Sequence, residues 1–537
     1  MNAHFSPAPA ASVPRCPSVS RAVAASAVAT SHRRSFHARW LGALCLLAAL
    51  LFSVSPVRAA APFNILAYGA DVTGRNWSTT AVQSAIDACT AAGGGTVLFP
   101  PGRYRLSMVS LKHNVTLLFE KESFVDGPRL YSEYTPLKFL FRANAVTNVA
   151  MRGPVIINGQ GSNYWNVVPN PTTWYSTRQS VPVPLVQFRS CSNVVVDGIT
   201  IVNSPSWALS PYTSTNVTIR NVTIINDLYG PNTDGINVCQ SKNVLITGCR
   251  VSTGDDPIAI KNMDAVAADN FSSNITITNC DLTSPSYSLK IGTESRVGVI
   301  ENVIYTDCRT FPHRPDFGNH TGIALESMDG GILRNVRVTR IQSVGVRSPI
   351  FIRLGNRGVG QTNSPPIPGK IQDVLIEDVY ATGVSTNREF GIQIHGLPSM
   401  TVSNILLRNI TIIPRGDVRF SHLGVTNVAQ MVVPEKEADY PSVDMFGFLP
   451  AFGVFCRHAE AITLQNLNLL PQNPDVRPAM TFNDVSGLSV SNVVVGYPNM
   501  TNRTGASMFF VTNSPSITIS ATTNLTNPPG GYILSTP

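Results

Sequence analysis

The first 60 of the chain's 537 residues contain no aspartate or glutamate. They hold instead Arg33, Arg34 and Arg39, an apolar run from Leu41 to Phe52, and the small-residue stretch Val57-Arg-Ala-Ala-Ala61. Cationic, then apolar, then small is the layout of a secretory signal peptide, and the run is too short for a membrane span. Residues ahead of Arg33 are then an N-terminal extension or reflect a start placed too early. Six arginines (Arg15, Arg21, Arg33, Arg34, Arg39 and Arg58) fall in this leader, and the formal charge of +8 less those six leaves +2. A nearly neutral mature chain gives no basic surface for nucleic acid. The expected product is a secreted or periplasmic protein without a membrane anchor after cleavage.

Cysteine is sparse, and none of the nine stands in a Cys-x-x-Cys pair, so cysteine has little claim as a metal ligand. No cofactor motif occurs, and no metal or cofactor is expected. No helix-period pattern is long enough to organise the chain. What recurs is Asn-Val/Ile-x-Val/Ile/Tyr, at Asn193, Asn216, Asn243, Asn274 and Asn302, with weaker copies at Asn114, Asn148, Asp373, Asn404, Gly487 and Ser516. Repeats about 23 to 31 residues apart, each made of short β-branched strands broken by Gly, Asn, Asp and Ser, indicate a solenoid. The favoured architecture is a parallel β-helix in which one asparagine per coil stacks into a ladder at the inter-strand spacing of about 4.8 Å. Several of these asparagines also match the glycosylation sequon, a competing reading that the ladder outweighs. Cys249, Cys280 and Cys308 each follow their repeat asparagine by six residues, where earlier repeats carry Ile199 and Val222. They are expected as an inward column of buried thiols, with a disulfide between rungs as the alternative. The solenoid makes residues 61–537 one domain, and a monomer is expected.

Phe63 to Leu118 reads as the entry to the coil. Val82, Ala85, Ile86 and Cys89 give Ser78 to Ala92 a helical spacing, and Gly93-Gly-Gly95 ends that helix before the strand Thr96 to Phe99. Such a helix would cap an open end whose strands could otherwise recruit other chains. Two stretches break the rhythm, Asp307 to His320 and an insertion over 415–458. Insertions in solenoids form loops on one face that often shape a cleft.

Apolar alternation sets five strands in register: Ile236-Asn-Val238, Ile258-Ala-Ile260, Leu289-Lys-Ile291, Ile323-Ala-Leu325 and Ile350-Phe-Ile352. Period two turns the outer residues of each triplet inward and the middle ones outward. Two places before the first two triplets stand Asp234 and Asp256, with Asp255 beside them. Like charges so close cannot all ionise freely, so one carboxyl keeps its proton while another stays an anion. Glycosidic cleavage needs that division, one acid for the leaving oxygen and one base for water. An Asp-Asp pair alone is more often a turn former, a cap or a calcium ligand. The coincidence of Asp234 on the next rung favours catalysis.

The chain resembles glycoside hydrolase family 28, the polygalacturonase family, in Asn232-Thr-Asp-Gly-Ile-Asn-Val238, Thr253-Gly-Asp-Asp-Pro-Ile-Ala-Ile-Lys261, Tyr68-Gly-Ala70, Gly93-Gly-Gly95, Pro100-Pro-Gly-Arg-Tyr104 and Asn158-Gly-Gln-Gly161. The resemblance implies an all-β fold, a single-stranded right-handed parallel β-helix with a short N-terminal capping helix, and metal-independent hydrolysis with inversion. It implies Asp255 as general acid and Asp234 and Asp256 as the pair that holds and deprotonates water, supported by Asn232 and Lys261. Two family features are missing. Ser286-Tyr-Ser288 stands where the family has Gly-His-Gly, and Ala324-Leu-Glu326 stands where it has the uronate-binding Arg-Ile-Lys. Other segments, among them Lys290 to Ser295 and Pro349 to Arg357, resemble a divergent bacterial branch of the family.

Tyr287 could replace the missing histidine or simply stack. Lys290 and Arg353, with Arg357 beyond, could grip a carboxylate or sugar hydroxyls; a salt bridge from Arg353 to Glu294 or Glu326 is the structural alternative. In the insertion Tyr440, Arg457 and His458 offer groups for a sugar, or for packing the loop on the coil. The expected function is exported, inverting hydrolysis of α-galacturonosyl linkages in pectic poly- or oligosaccharide, leaning to exo action. Alternatives are a rhamnogalacturonan hydrolase or rhamnosidase on the same scaffold, and a non-catalytic carbohydrate-binding β-helix.

Overall fold

Strands recur in threes, and each pairs in parallel with its counterpart one coil before and one coil after. The computed structural model describes residues 61–264, 270–312, 319–383, 390–496, 508–524 and 533–534. The expected leader, residues 1–60, lies outside them. One face of the coil stacks Leu209–Tyr212, Ile236–Cys239, Ile258–Asn262, Tyr287–Ser295 and Asn319–Ser327. A second stacks Thr215–Arg220, Lys242–Thr247, Phe271–Thr278 and Val299–Thr306. The third carries the shorter Thr223–Ile225, Arg250–Ser252, Asp281–Ser284 and Arg309–Pro312. The whole is a right-handed parallel β-helix, the hand that crossovers between parallel twisted strands adopt.

The repeat asparagine stands where the chain turns onto the second face. Asn114, Asn148, Asn193, Asn216, Asn243, Asn274 and Asn302 all take φ of 54–59°, the left-handed region that asparagine tolerates better than other side chains. From Asn148 onward each Nδ2 donates to the Oδ1 of the preceding rung at 2.8–3.1 Å, with Asn114 the first acceptor. The asparagines in Asn-x-Thr strings at 114, 216 and 274 are therefore ladder rungs. Asp373, Asn404, Gly487 and Ser516 share the turn conformation, as the weaker repeats imply. So does Asn335, whose Asn-Val-Arg-Val string escaped the repeat reading. Cys249, Cys280 and Cys308 fall in one buried column of free thiols.

The entry helix is Thr79–Ala91, and it buries Ala81, Val82, Ala85, Ile86 and Cys89 against the first coil. Removing side chains of this size from water stabilises by roughly 1.5–3 kcal/mol each for the larger ones, enough to hold a short helix over an open end. The chain leaves it through Gly94, at φ 113°, where a Cβ would stand 2.4 Å from that of Asn114.

Asp307 to His320, expected as a break, in fact includes the third-face strand Arg309–Pro312, and 313–318 lie outside the described residues. Two longer interruptions flank the site face. The first separates Val155–Asn158 from Val186–Arg189, and the second separates Val402–Ile413 from Val454–Leu469. The second takes in residues 414–453, so Arg457 and His458, expected in an insertion over 415–458, stand on the strand that follows it. The insertion's Val443, Phe446 and Leu449 pack on the outward-facing Ala324, Phe351 and Phe455, forming a hydrophobic cluster outside the coil.

Candidate active site

The register read from alternation is the register of the structure. Ile236 pairs with Ile258, Ile258 with Leu289, Leu289 with Ile323, and Ile323 with Ile350, all fully buried in the coil. Gly235 N donates to Asp256 O at 3.0 Å, so Asp234 and Asp256 enter adjacent rungs at the same level. The outward positions that follow supply Asn237 and Lys261 on those rungs, and Lys290 on the next.

Two buried lysines divide the acids unequally. Lys261 Nζ lies 3.2 Å from Asp234 Oδ2 and 3.4 Å from Glu294, with its ammonium 4.5 Å over the Trp207 ring. Asn237 Nδ2 donates a second bond to the same Asp234 oxygen at 3.1 Å. Lys290 Nζ lies 3.1 Å from Asp256 Oδ2 and 3.9 Å from Glu326, over the Tyr287 ring at 4.2 Å. Ser286 Oγ donates to the other Asp256 oxygen at 3.1 Å. Asp255 has neither lysine as an ion-pair partner; among the described residues its Oδ1 accepts only the Asp256 backbone N–H, at 2.9 Å.

The titration order follows. Burial, then the charges of Asp234 and Asp256, push the Asp255 carboxyl well above the ordinary carboxylate range, so it retains a proton. Burial also raises Asp234, but the Lys261 ammonium opposes that rise. Burial alone would lower Lys261; the carboxylates of Asp234 and Glu294 more than offset it and keep the ammonium charged.

At Asp255 opens a cleft of about 730 Å³, with Asp234 and Asp256 buried behind its lining. Its walls bring together Trp174 and Tyr229 from one side, Tyr287 and His320 from the site face, and Tyr440 to Ser442 from the insertion, with Asn232 and Asp255 also lining it. Trp174, Tyr229 and His320 escaped the sequence reading. A visible signal for Trp174 was the 45 residues between Asn148 and Asn193, against 23 for the next interval, which marks an extra loop. His320 stands edge-on to Tyr287 at 5.8 Å. Burial, then the nearby Arg347, depresses it to about 4, so it is neutral at any higher pH. Tyr287 donates its hydroxyl to Pro441 O at 3.0 Å and so ties the insertion to the cleft.

Besides Lys261 and Lys290, which are buried against the acids they hold, three expected substrate-binding residues lie apart from the cleft lining. Arg353 is fully buried, forms no ion pair with Glu294 or Glu326, and donates Nη2 to Glu435 O and Lys436 O at 2.9 and 3.0 Å. Arg457 donates to the backbone of Val433 and Pro434 and pairs with Glu435 at 3.0 Å. His458 bridges Glu435, at 3.2 Å, and Asp484, at 2.7 Å. All three anchor the insertion, and it roofs the outward row that Arg353 and Arg457 share.

Glu326 has a distinct environment. It is fully buried, accepts from Thr293 Oγ1 at 2.8 Å, and is pushed up to about 7 by burial, which the Lys290 ammonium only partly opposes. A carboxyl raised from 4.5 to about 7 on folding binds its proton more tightly in the native state, so its contribution to stability is lost as pH rises through that window. Glu326→Gln is expected to flatten the decline of Tm between about pH 4.5 and 7 relative to the parent. An unchanged Tm profile in that variant would show that Glu326 is not the titrating group.

A parallel β-helix bearing one proton-holding carboxyl on an aromatic-walled cleft, with two lysine-paired ones buried beside it, defines a β-helical glycosidase. The chain belongs to the glycosyl hydrolases family 28, whose model matches residues 89–432. It is 25% identical over 395 residues to a probable polygalacturonase of Vitis vinifera, covering 68% of this chain and 77% of that protein. It is 28% identical to an exopolygalacturonase of Platanus acerifolia, covering 66% and 90%. Among solved structures it is similar in fold to a hyperthermoactive exopolygalacturonase of Thermotoga maritima, at TM-score 0.52 and 23% identity over 66% of this chain and 87% of that one.

Proposed function

We propose that the protein is an exported, inverting hydrolase of α-galacturonosyl linkages in pectic poly- or oligosaccharide, acting from chain ends. The observation that carries the mechanism is the unequal pairing of the three acids. Asp255, protonated and without a lysine, donates to the glycosidic oxygen as the bond to the anomeric carbon breaks. Asp234 and Asp256, each held by an ammonium, orient a water on the opposite face of the ring and take its proton as it attacks. Asn232 at the cleft edge adds a hydrogen bond to substrate, while Lys261 and Lys290 act through the acids they hold. The exo preference draws support from relatives that carry that name, among them the Platanus acerifolia and Aspergillus niger proteins. Export draws on the leader, and a monomer suffices because one chain supplies the whole cleft.

One observation favours a second reading, hydrolysis of rhamnogalacturonan. Ala324 and Glu326 stand where the family resemblance would place the arginine and lysine that bind a uronate. Both are fully buried beneath neighbouring groups. Proton NMR of the sugar first released from homogalacturonan and from rhamnogalacturonan oligosaccharides tests both readings. Appearance of β-galacturonate from α-linked homogalacturonan is the expected result; release from rhamnogalacturonan alone establishes the second reading, and release from neither removes both.

A further inference from the structure

Trp174 keeps 43% of its surface exposed on the cleft wall although its one polar group is satisfied inside the protein. Its Nε1 donates to Gly254 O at 2.9 Å. What remains uncovered is aromatic carbon, which water solvates poorly. Trp77, similarly exposed at 41%, is covered by the Arg105 guanidinium 3.9 Å from its ring; among the described residues Trp174 has no such cover.

The ring is also fixed in place. The next residue, Tyr175, donates its backbone N–H to Tyr229 O at 2.8 Å, and its own ring stacks on buried Trp165 at 6.2 Å. Gly254, which receives the indole bond, immediately precedes Asp255. A Cβ on Gly254 would stand 2.7 Å from the carbonyl oxygens of Asp227 and Gly230, so that backbone packs closely against theirs. Platform and acid are thus held by one segment. From the insertion, Tyr440 also lines the cleft, 57% exposed, with its ring 6.0 Å from the Lys290 ammonium and 5.6 Å from the Arg357 guanidinium.

A pyranose ring presents a face of C–H groups ringed by hydroxyls. That face fits an exposed aromatic ring, while the hydroxyls need the polar groups that an acid site supplies. We propose that Trp174 is the stacking platform of a sugar subsite adjoining Asp255, seating a pyranose ring next to the bond that is cut. This rests on the pectic-hydrolase reading. The subsite sets affinity for oligosaccharide and leaves the chemistry to the acids.

Binding is measured by titration calorimetry in an Asp255→Asn background, where substrate persists, using galacturonate and rhamnogalacturonan oligosaccharides. Adding Trp174→Ala is expected to weaken binding by about tenfold, the scale of one aromatic contact. With Asp255 intact, the same change raises KM by a similar factor and leaves kcat nearly unaltered. Trp174→Phe keeps a platform but loses the bond to Gly254, and is expected to recover most of the affinity. Equal affinity in Trp174→Ala and its parent overturns the subsite alone. Phenylalanine as weak as alanine also overturns it, because the indole N–H rather than the ring face would then matter. Absence of binding to either oligosaccharide by the Asp255→Asn parent overturns the pectic reading, and the subsite with it.

Discussion

Asp255→Asn is expected to lower kcat on pectic oligosaccharide by about 10³–10⁴-fold, the contribution of a positioned general acid, with KM changed little. Asparagine has the shape of the protonated acid but no acidic proton for the leaving oxygen. Three accompanying results separate this role from a structural one. A nitrophenyl galacturonide, whose leaving group departs without help, should lose far less rate than the natural substrate. The alkaline limb of kcat/KM, set in the parent by Asp255 giving up its raised-pKa proton, should vanish from the residual activity. Tm should hold or rise, since the substitution removes a buried acid that crowds Asp234 and Asp256. Equal losses on both substrates would assign the proton donor elsewhere.

The coil and its acids were legible because period-two alternation and an obligatory left-handed turn leave direct marks in sequence. Alternation fixed the rung of Asp234 against that of Asp256, and the asparagine turn fixed where each coil begins. Alternation did not decide Arg353, at a strand end, or Arg457, read as part of the insertion. It states that a side chain leaves the coil, but not whether the space outside is water or protein. Here Val443, Phe446 and Leu449 of the insertion cover Phe351 and Phe455 on the same rungs, so the next outward row meets loop carbonyls rather than sugar. The lysine pairing could be placed by register, since Lys261 and Lys290 occupy outward positions beside the acids. Its division of the acids required distances. Trp174 lay beyond any periodic argument, because an irregular loop carries no register to the cleft.

The lysine with most to lose is Lys261, because both of its carboxylates lie within 3.4 Å, whereas Lys290 reaches Glu326 only at 3.9 Å. Lys261→Met keeps the length of the side chain but leaves buried Asp234 and half-buried Glu294 without their shared cation. Breaking a buried pair from one side costs about 3–5 kcal/mol, so a marked fall in Tm is expected at pH 7. The sign of the pH dependence follows from the two acids. In the parent, burial alone would raise Glu294, but Lys261 and then Lys290 more than offset it and hold it below its ordinary value, a contribution to stability present at neutral pH and lost on acidification. In the variant Glu294 loses its largest stabilising charge and Asp234 rises further. Both then favour the protonated form, whose burial costs less, and the deficit in Tm relative to the parent narrows as pH falls. Activity moves in the opposite sense. Asp234 must be an anion to take a proton from water, so the acid limb of kcat/KM shifts to higher pH and the optimum narrows between it and the Asp255 limb. Lys261→Arg, which restores a cation over the Trp207 ring, should recover most of the stability. Measured together, a Tm deficit that stays constant with pH, or an acid limb that does not move, would show that Lys261 packs the site without setting its charge.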